Sequence, residues 1–130
     1  MKKMIVGLGL ALALTALDVD EVAAQGFSMG TNEQVEFTAT VVDMSCKIVF
    51  DLSGDDHRMC SQMCADFGIP LGLLTDDGEF LLPVSATMPG KGSNDMLKPH
   101  AEHRLRVKGR VFERAGSRAI IIDDLQMEGS

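Results

Sequence analysis

Three cysteines and a histidine crowd between Cys46 and Cys64, and they are the side chains of this chain best suited to chemistry. His57, Cys60 and Cys64 read H-x-x-C-x-x-x-C. At helical pitch, offsets of 0, 3 and 7 share one narrow face. Cys46 lies upstream, at the end of a strand-like run. Thiolate and imidazole are the ligands of closed zinc sites, and sulfur donors also suit Cu(I). The spacing therefore predicts a Cys3His metal site, for zinc or copper, on Cys46, His57, Cys60 and Cys64. It would hold one thiophilic ion or one binuclear cluster. Among the nearby methionines, Met63 falls close to Cys60 round the helix, as an outer ligand, whereas Met59 points away into packing.

The same thiols admit a second chemistry. Cys60 and Cys64 are spaced for β-carbons ~5–6 Å apart, too far for an intrahelical bridge, which needs roughly 3.5–4.5 Å. Cys46 can pair with either one, stapling strand to helix and leaving one thiol free. That pairing gives a thiol-redox protein, in which Cys60 or Cys64 attacks and Cys46 resolves, or a disulfide-stapled protein-binding barrel. A third possibility is that all three pack as small apolar side chains.

These residues need elements to position them. Val35, Phe37, Ala39 and Val41 alternate with Glu36, Thr38 and Thr40, a period of two that predicts a half-buried strand. The run continues through Cys46 to Phe50, with a bend near Asp43. Ser53 is the expected cap of a helix reaching Phe67, with Asp55 and Asp56 in its first turn. Gly68 ends it and Pro70 blocks its resumption. Segments 71–75 and 79–84 flank Asp76-Asp77-Gly78 as a β-hairpin, with Pro83 confining the second strand to an edge or an end. Residues 87–95 read as a surface loop and 96–103 as a short helical turn. Segments 105–112 and 118–125 form a second hairpin across Ala115-Gly116-Ser117. Leu105, Val107, Val111, Ile120 and Ile122 are the expected core positions. The fold class is mainly β with one helix (α+β). Five or six strands form a small OB-like β-barrel over residues 35–127, with a Cys-bearing helix after the first long strand. A two-layer α+β sandwich is the alternative.

The series Val41-Val42-Asp43-x-x-Cys46, His57-x-x-Cys60-x-x-x-Cys64, Gly68-x-Pro70-x-Gly72, Val107-x-Gly109-x-Val111 and Ile120-Ile121-Ile122 resembles a group of small exported bacterial proteins with OB-like barrels. The resemblance covers residues 35–125. It implies the fold and export, and no activity. The C-x-x-x-C spacing is also that of binuclear copper sites and copper-delivery proteins. This chain departs from both, with Gly68 where the first needs histidine and Ala65 where the second has proline.

Lys2 and Lys3 precede an apolar stretch from Ile5 to Leu17, too short to span a bilayer, which takes roughly 20 apolar residues. Val22-Ala23-Ala24 offers a cleavage site, so residues 1–24 read as a signal peptide and 25–34 as a flexible lead-in. No cysteine follows the apolar stretch, which argues against a lipid anchor. The expected location is the periplasm or the exterior, where an odd number of thiols needs an explanation.

With a formal charge of −7 and neither Trp nor Tyr, the chain has no basic, aromatic surface for nucleic acid. Arg104, Arg106, Lys108 and Arg110 share one strand face, either as a docking stripe for a protein partner or as a solvated face paired to neighbouring acids. His100 and His103 are expected to be exposed rather than ligating. The Asp76-Asp77 and Asp123-Asp124 pairs fall at turns and strand ends. No phosphate-binding loop, nucleophile elbow or haem motif is present. The chain reads as a binding module in metal handling, electron transfer or an accessory subunit, rather than as an enzyme.

Overall fold

The alternation after Val35 becomes strand β1 (Gln34–Asp43), whose odd positions turn inward until Ala39 and Val41 are fully buried. The computed structural model describes residues 34–129, so the expected signal peptide, and the lead-in up to residue 33, lie outside the described residues. Asp76 to Gly78 joins β2 (Leu71–Thr75) to β3 (Phe80–Pro83), with Gly78 at φ +84°. The second hairpin pairs β4 (Arg104–Arg114) with β5 (Ser117–Met127) across Ala115 and Gly116, both at positive φ. The described residues are mainly β, in one five-stranded sheet. β1 pairs with β2 and β4, β3 pairs in parallel with β5, and the ring closes in the order β1–β2–β3–β5–β4. Closure is partial along the seam, because β3 meets β5 only at Leu82–Ala119 and Pro83–Ile120 and β1 meets β2 only from Ala39 to Asp43.

The core lies inside this ring. Leu105, Val107 and Ile120 are fully buried and Val111 is nearly so, while Ile122 packs partly buried against them. Leu71, Leu73 and Leu81 come from the first hairpin, and Leu97 closes one side from helix α3 (Asn94–Leu97). The short helical turn expected near 96–103 is this helix followed by a 3₁₀ turn, Lys98–His100. Burial of these side chains, at about 25 cal/mol per Å² of apolar surface, is the main favourable term of the fold.

Gly109 shows how tightly the strands are held. The β4–β5 register shifts between Lys108 and Gly109, and a β-carbon at Gly109 would sit 2.4 Å from the carbonyl oxygen of Ile121. That neighbour is backbone and cannot rotate away. Gly109→Ala is therefore expected to cost about 1–3 kcal/mol by overpacking, read as a lower urea midpoint at unchanged m-value.

Two helical expectations are corrected. Segment 44–50 is not a continuation of the strand: it is helix α1 (Met44–Phe50). Asp43 caps it, its Oδ1 accepting from the Cys46 N–H at 2.9 Å, and Asp51 ends it in the left-handed conformation at φ 54°. Local capping outweighs the β preference of Ile48 and Val49, which gain nothing from a strand because they are exposed. Next, Ser53 is not the cap of the cysteine helix. A 3₁₀ turn (Asp55–His57) opens it, followed by α2 (Arg58–Asp66), and the capping residue of the turn is Gly54. The C-terminal end follows expectation. Gly68 sits at φ +90°, its N–H bonds Ala65 O at 3.1 Å and the Ile69 N–H bonds Cys64 O at 2.9 Å, the paired bonds of a Schellman end.

Candidate metal centre

Asp43 is the hinge between barrel and site. It is the last residue of β1, aligned with Leu71 of β2, and fully buried. The chain leaves the barrel there, and α1 carries Cys46 on its first turn. α2 returns across the same end of the barrel and buries Ser61 and Ala65 against it. The face one step round the helix therefore carries Cys60 and Cys64, with His57 just before its first turn.

Glu102 anchors this return. Its Oε1 accepts from Ser61 Oγ at 2.5 Å and its Oε2 from the Gly54 N–H at 2.8 Å, so one buried carboxylate ties both the 3₁₀ turn and α2 to the barrel. Its own backbone is held at φ 60°, a costly conformation for a non-glycine residue. Asn94 fixes the other end of α2, donating to Ala65 O and Ile69 O and accepting from the Leu71 N–H. The cysteine face is thus positioned from both ends by side chains outside it.

The expected ligands fall into two triads that share a member. Donor atoms of Cys46, His57 and Cys60 lie within 4.8 Å of one another, and so do those of Asp43, Cys46 and Cys64. For comparison, donors around one tetrahedral ion with bonds of 2.0–2.3 Å lie about 3.3–3.8 Å apart. Either triad can therefore take an ion with a small contraction. Cys46 stands between the other two thiols, and all three cysteines are free. His100 and His103 belong to neither triad. Met59 is not packed, being 72% exposed, and Met63 is exposed as well.

Two polar atoms of these triad residues are buried without a regular hydrogen-bond partner: His57 Nε2 and Asp43 Oδ2. Leaving such atoms unpaired costs about 1–3 kcal/mol each. The thiols respond to their surroundings. Burial, then the charge of Asp43, pushes the Cys46 thiol up. Cys64 is pushed up to about 12, first by the pull of the Asp43 carboxylate on its proton and then by burial.

The two helices that carry the cysteines also carry exposed apolar side chains, which form an apolar rim at this end of the chain's fold. Ile48, Val49, Phe50 and Leu52 on and after α1, with Met59, Met63 and Phe67 on and after α2, are all exposed, Phe67 by 84%. Elsewhere the surface is more ordinary. Arg104 pairs with Asp76 and Glu128, Arg106 and Lys108 approach Glu36 at 3.7 and 3.4 Å, and Arg110 approaches Asp123 at 3.6 Å. The cationic stripe is thus largely matched by acids of neighbouring segments, in pairs worth little individually. A cleft of about 350 Å³ opens near the start of β1, between Phe37, Leu81, Val111 and Arg118, and none of the triad residues lines it.

Asp43 and Glu102 are the residues that sequence reasoning did not assign to the site. Asp43 carried a usable signal, because an Asp three residues before Cys46 has the spacing of a helix cap. Glu102 carried none, because its partners are 41 and 48 residues away. Among the described residues, no helix is long and apolar enough to cross a membrane. No protein-family model, curated protein or solved structure matches this chain.

Proposed function

We propose that this chain is a small exported metal-binding module whose Cys46, His57, Cys60 and Cys64 take zinc or a copper ion. The observation that carries the reading is His57: its imidazole forms a triad with two thiols, and its Nε2 is buried and unpartnered. Such an arrangement is a net cost to the fold unless something binds there. A cation that bonds imidazole and thiolate meets that need. The apolar rim supports a role beside another protein, as an accessory subunit or in metal handling. Export rests on the sequence of residues 1–24. The barrel is read as OB-like, supported by the ring order and by the way β1 pairs on both sides.

The central position of Cys46 favours thiol–disulfide chemistry as the second reading, since it can reach either partner thiol. The raised Cys46 and Cys64 thiols weigh against it, because nucleophilic cysteines are held as thiolates by lowered pKa values.

Titrating the reduced protein with Zn²⁺, and separately with Co²⁺ as a coloured probe, tests the proposal. At least one equivalent should bind, with thiolate-to-cobalt charge-transfer absorption. Because raised thiols stay protonated until a metal displaces the proton, apparent affinity should rise with pH between 6 and 8. The expected slope is about tenfold per pH unit for each thiol proton displaced. No binding, together with a thiol count showing a Cys46 disulfide in the native protein, would replace this reading with the redox one.

A further inference from the structure

We propose that the cluster is a two-ion site, in which Cys46 Sγ bridges one cation held by His57 and Cys60 to a second held by Asp43 and Cys64. The inference rests on the metal-binding reading above and extends it to an inner subsite with a carboxylate ligand. Its first support is geometric: the two triads meet only at Cys46. A thiolate has lone pairs enough to bridge, and at about 2.3 Å per Zn–S bond it sets two ions at the ~3.5–4 Å separation common in paired sites.

The second support is Asp43. Its Oδ1 is occupied as the cap of α1, but Oδ2 is buried with no N–H or O–H donating to it, and the groups the carboxylate meets instead are the Cys46 and Cys64 thiols. The residue is 0% exposed, so bulk water does not complete its shell. A carboxylate used only as a helix cap does well at a surface, and its burial beside two thiols is unexplained by capping. Direct coordination supplies the missing partner. His57 Nε2 is the matching orphan of the outer triad. Each triad thus includes a residue that carries one orphaned buried atom of a type that bonds zinc.

Charge selects the cation class. Three thiolates, one carboxylate and a neutral imidazole carry four negative charges, which two divalent ions balance. One divalent ion leaves a doubly negative cluster at the end of a hydrophobic barrel, and a single Cu(I) leaves more. The carboxylate is also a poor match for Cu(I), which prefers sulfur, whereas Zn²⁺ takes sulfur, nitrogen and oxygen donors alike. The pair is therefore assigned to borderline divalent cations such as Zn²⁺. Cys60 is exposed and Asp43 is not, which makes one ion outer and exchangeable and the other inner.

The test is stoichiometry on the reduced full-length protein equilibrated with Zn²⁺ and freed of excess metal, read by elemental analysis against protein concentration. The parent should hold two equivalents. Asp43→Asn keeps a good capping residue but loses the anionic Oδ2. It should hold one equivalent with unchanged circular dichroism, and so should Cys64→Ser. A chromophoric chelator should strip the parent in two phases and both variants in one. One equivalent in the parent, unchanged in Asp43→Asn, overturns the two-ion site while leaving the one-ion reading intact. Two equivalents that both survive in Asp43→Asn and in Cys64→Ser also overturn it, since the second ion then sits elsewhere. No zinc in the parent overturns both readings together.

Discussion

Cys46→Ser should abolish tight metal binding, with Zn²⁺ affinity falling by at least about 10³-fold. Structural zinc sites bind with about 10–16 kcal/mol spread over four ligands, or roughly 2.5–4 kcal/mol for each, which is a factor of about 10²–10³. Cys60→Ser and Cys64→Ser each remove a donor from one triad, so losses near the lower end are expected for them. Cys46 belongs to both triads, and its loss falls on every mode of binding that the cluster allows. Serine is nearly isosteric, and Cys46 is only partly buried on a capped helix, so the apo fold should survive. Competition with a chromophoric chelator measures the affinity, and circular dichroism checks the fold. His57→Ala should weaken binding, and His100→Ala, outside both triads, should change little. Parent-like affinity in Cys46→Ser would remove the cluster from the metal reading altogether.

The legible part of this molecule is the part in which local pattern and global packing agree. Alternation along β1 and β4, and Gly at the turns of both hairpins, correspond to strands whose inner face is buried. The spacing of His57, Cys60 and Cys64 survives although His57 sits in a 3₁₀ turn, because that turn leads directly into α2. The misreadings occur where the two levels conflict. Ile48, Val49 and Phe50 look like strand residues, and only the Asp43 cap and their exposure at the end of the barrel make them helical. Glu102 illustrates the remainder. Its neighbours Ala101 and His103 say nothing of its role, which depends on a chain crossing 41 residues away. Asp43 lies between these cases: its cap spacing is local, but its burial against Cys46 and Cys64 requires the folded barrel.

Val107→Asp should strongly destabilise the barrel and, with it, the metal site. Val107 is fully buried, opposite Phe37 of β1 and Leu125 of β5. Losing a buried valine forfeits about 1.5–3 kcal/mol, and burying an unpaired carboxylate adds several more. Against a typical total of 5–15 kcal/mol, the combined cost of about 5 kcal/mol or more removes all the stability of a fold at the lower end of that range and much of it elsewhere. The adjacent Arg106 points to the outer face, with a side chain 58% exposed. Arg106→Asp, facing Glu36, should cost no more than about 1 kcal/mol, which makes it the control for register. Urea melts of the two variants measure the contrast, and similar midpoints would mean that the inward and outward faces of β4 are assigned the wrong way round. Zinc affinity supplies the second readout. Val107→Asp should lose it, because Asp43 and the Glu102 anchor that positions α2 depend on the closed barrel. Cys46→Ser should lose zinc yet keep its melting transition in the absence of metal. That asymmetry makes the barrel the scaffold and the cluster its dependent.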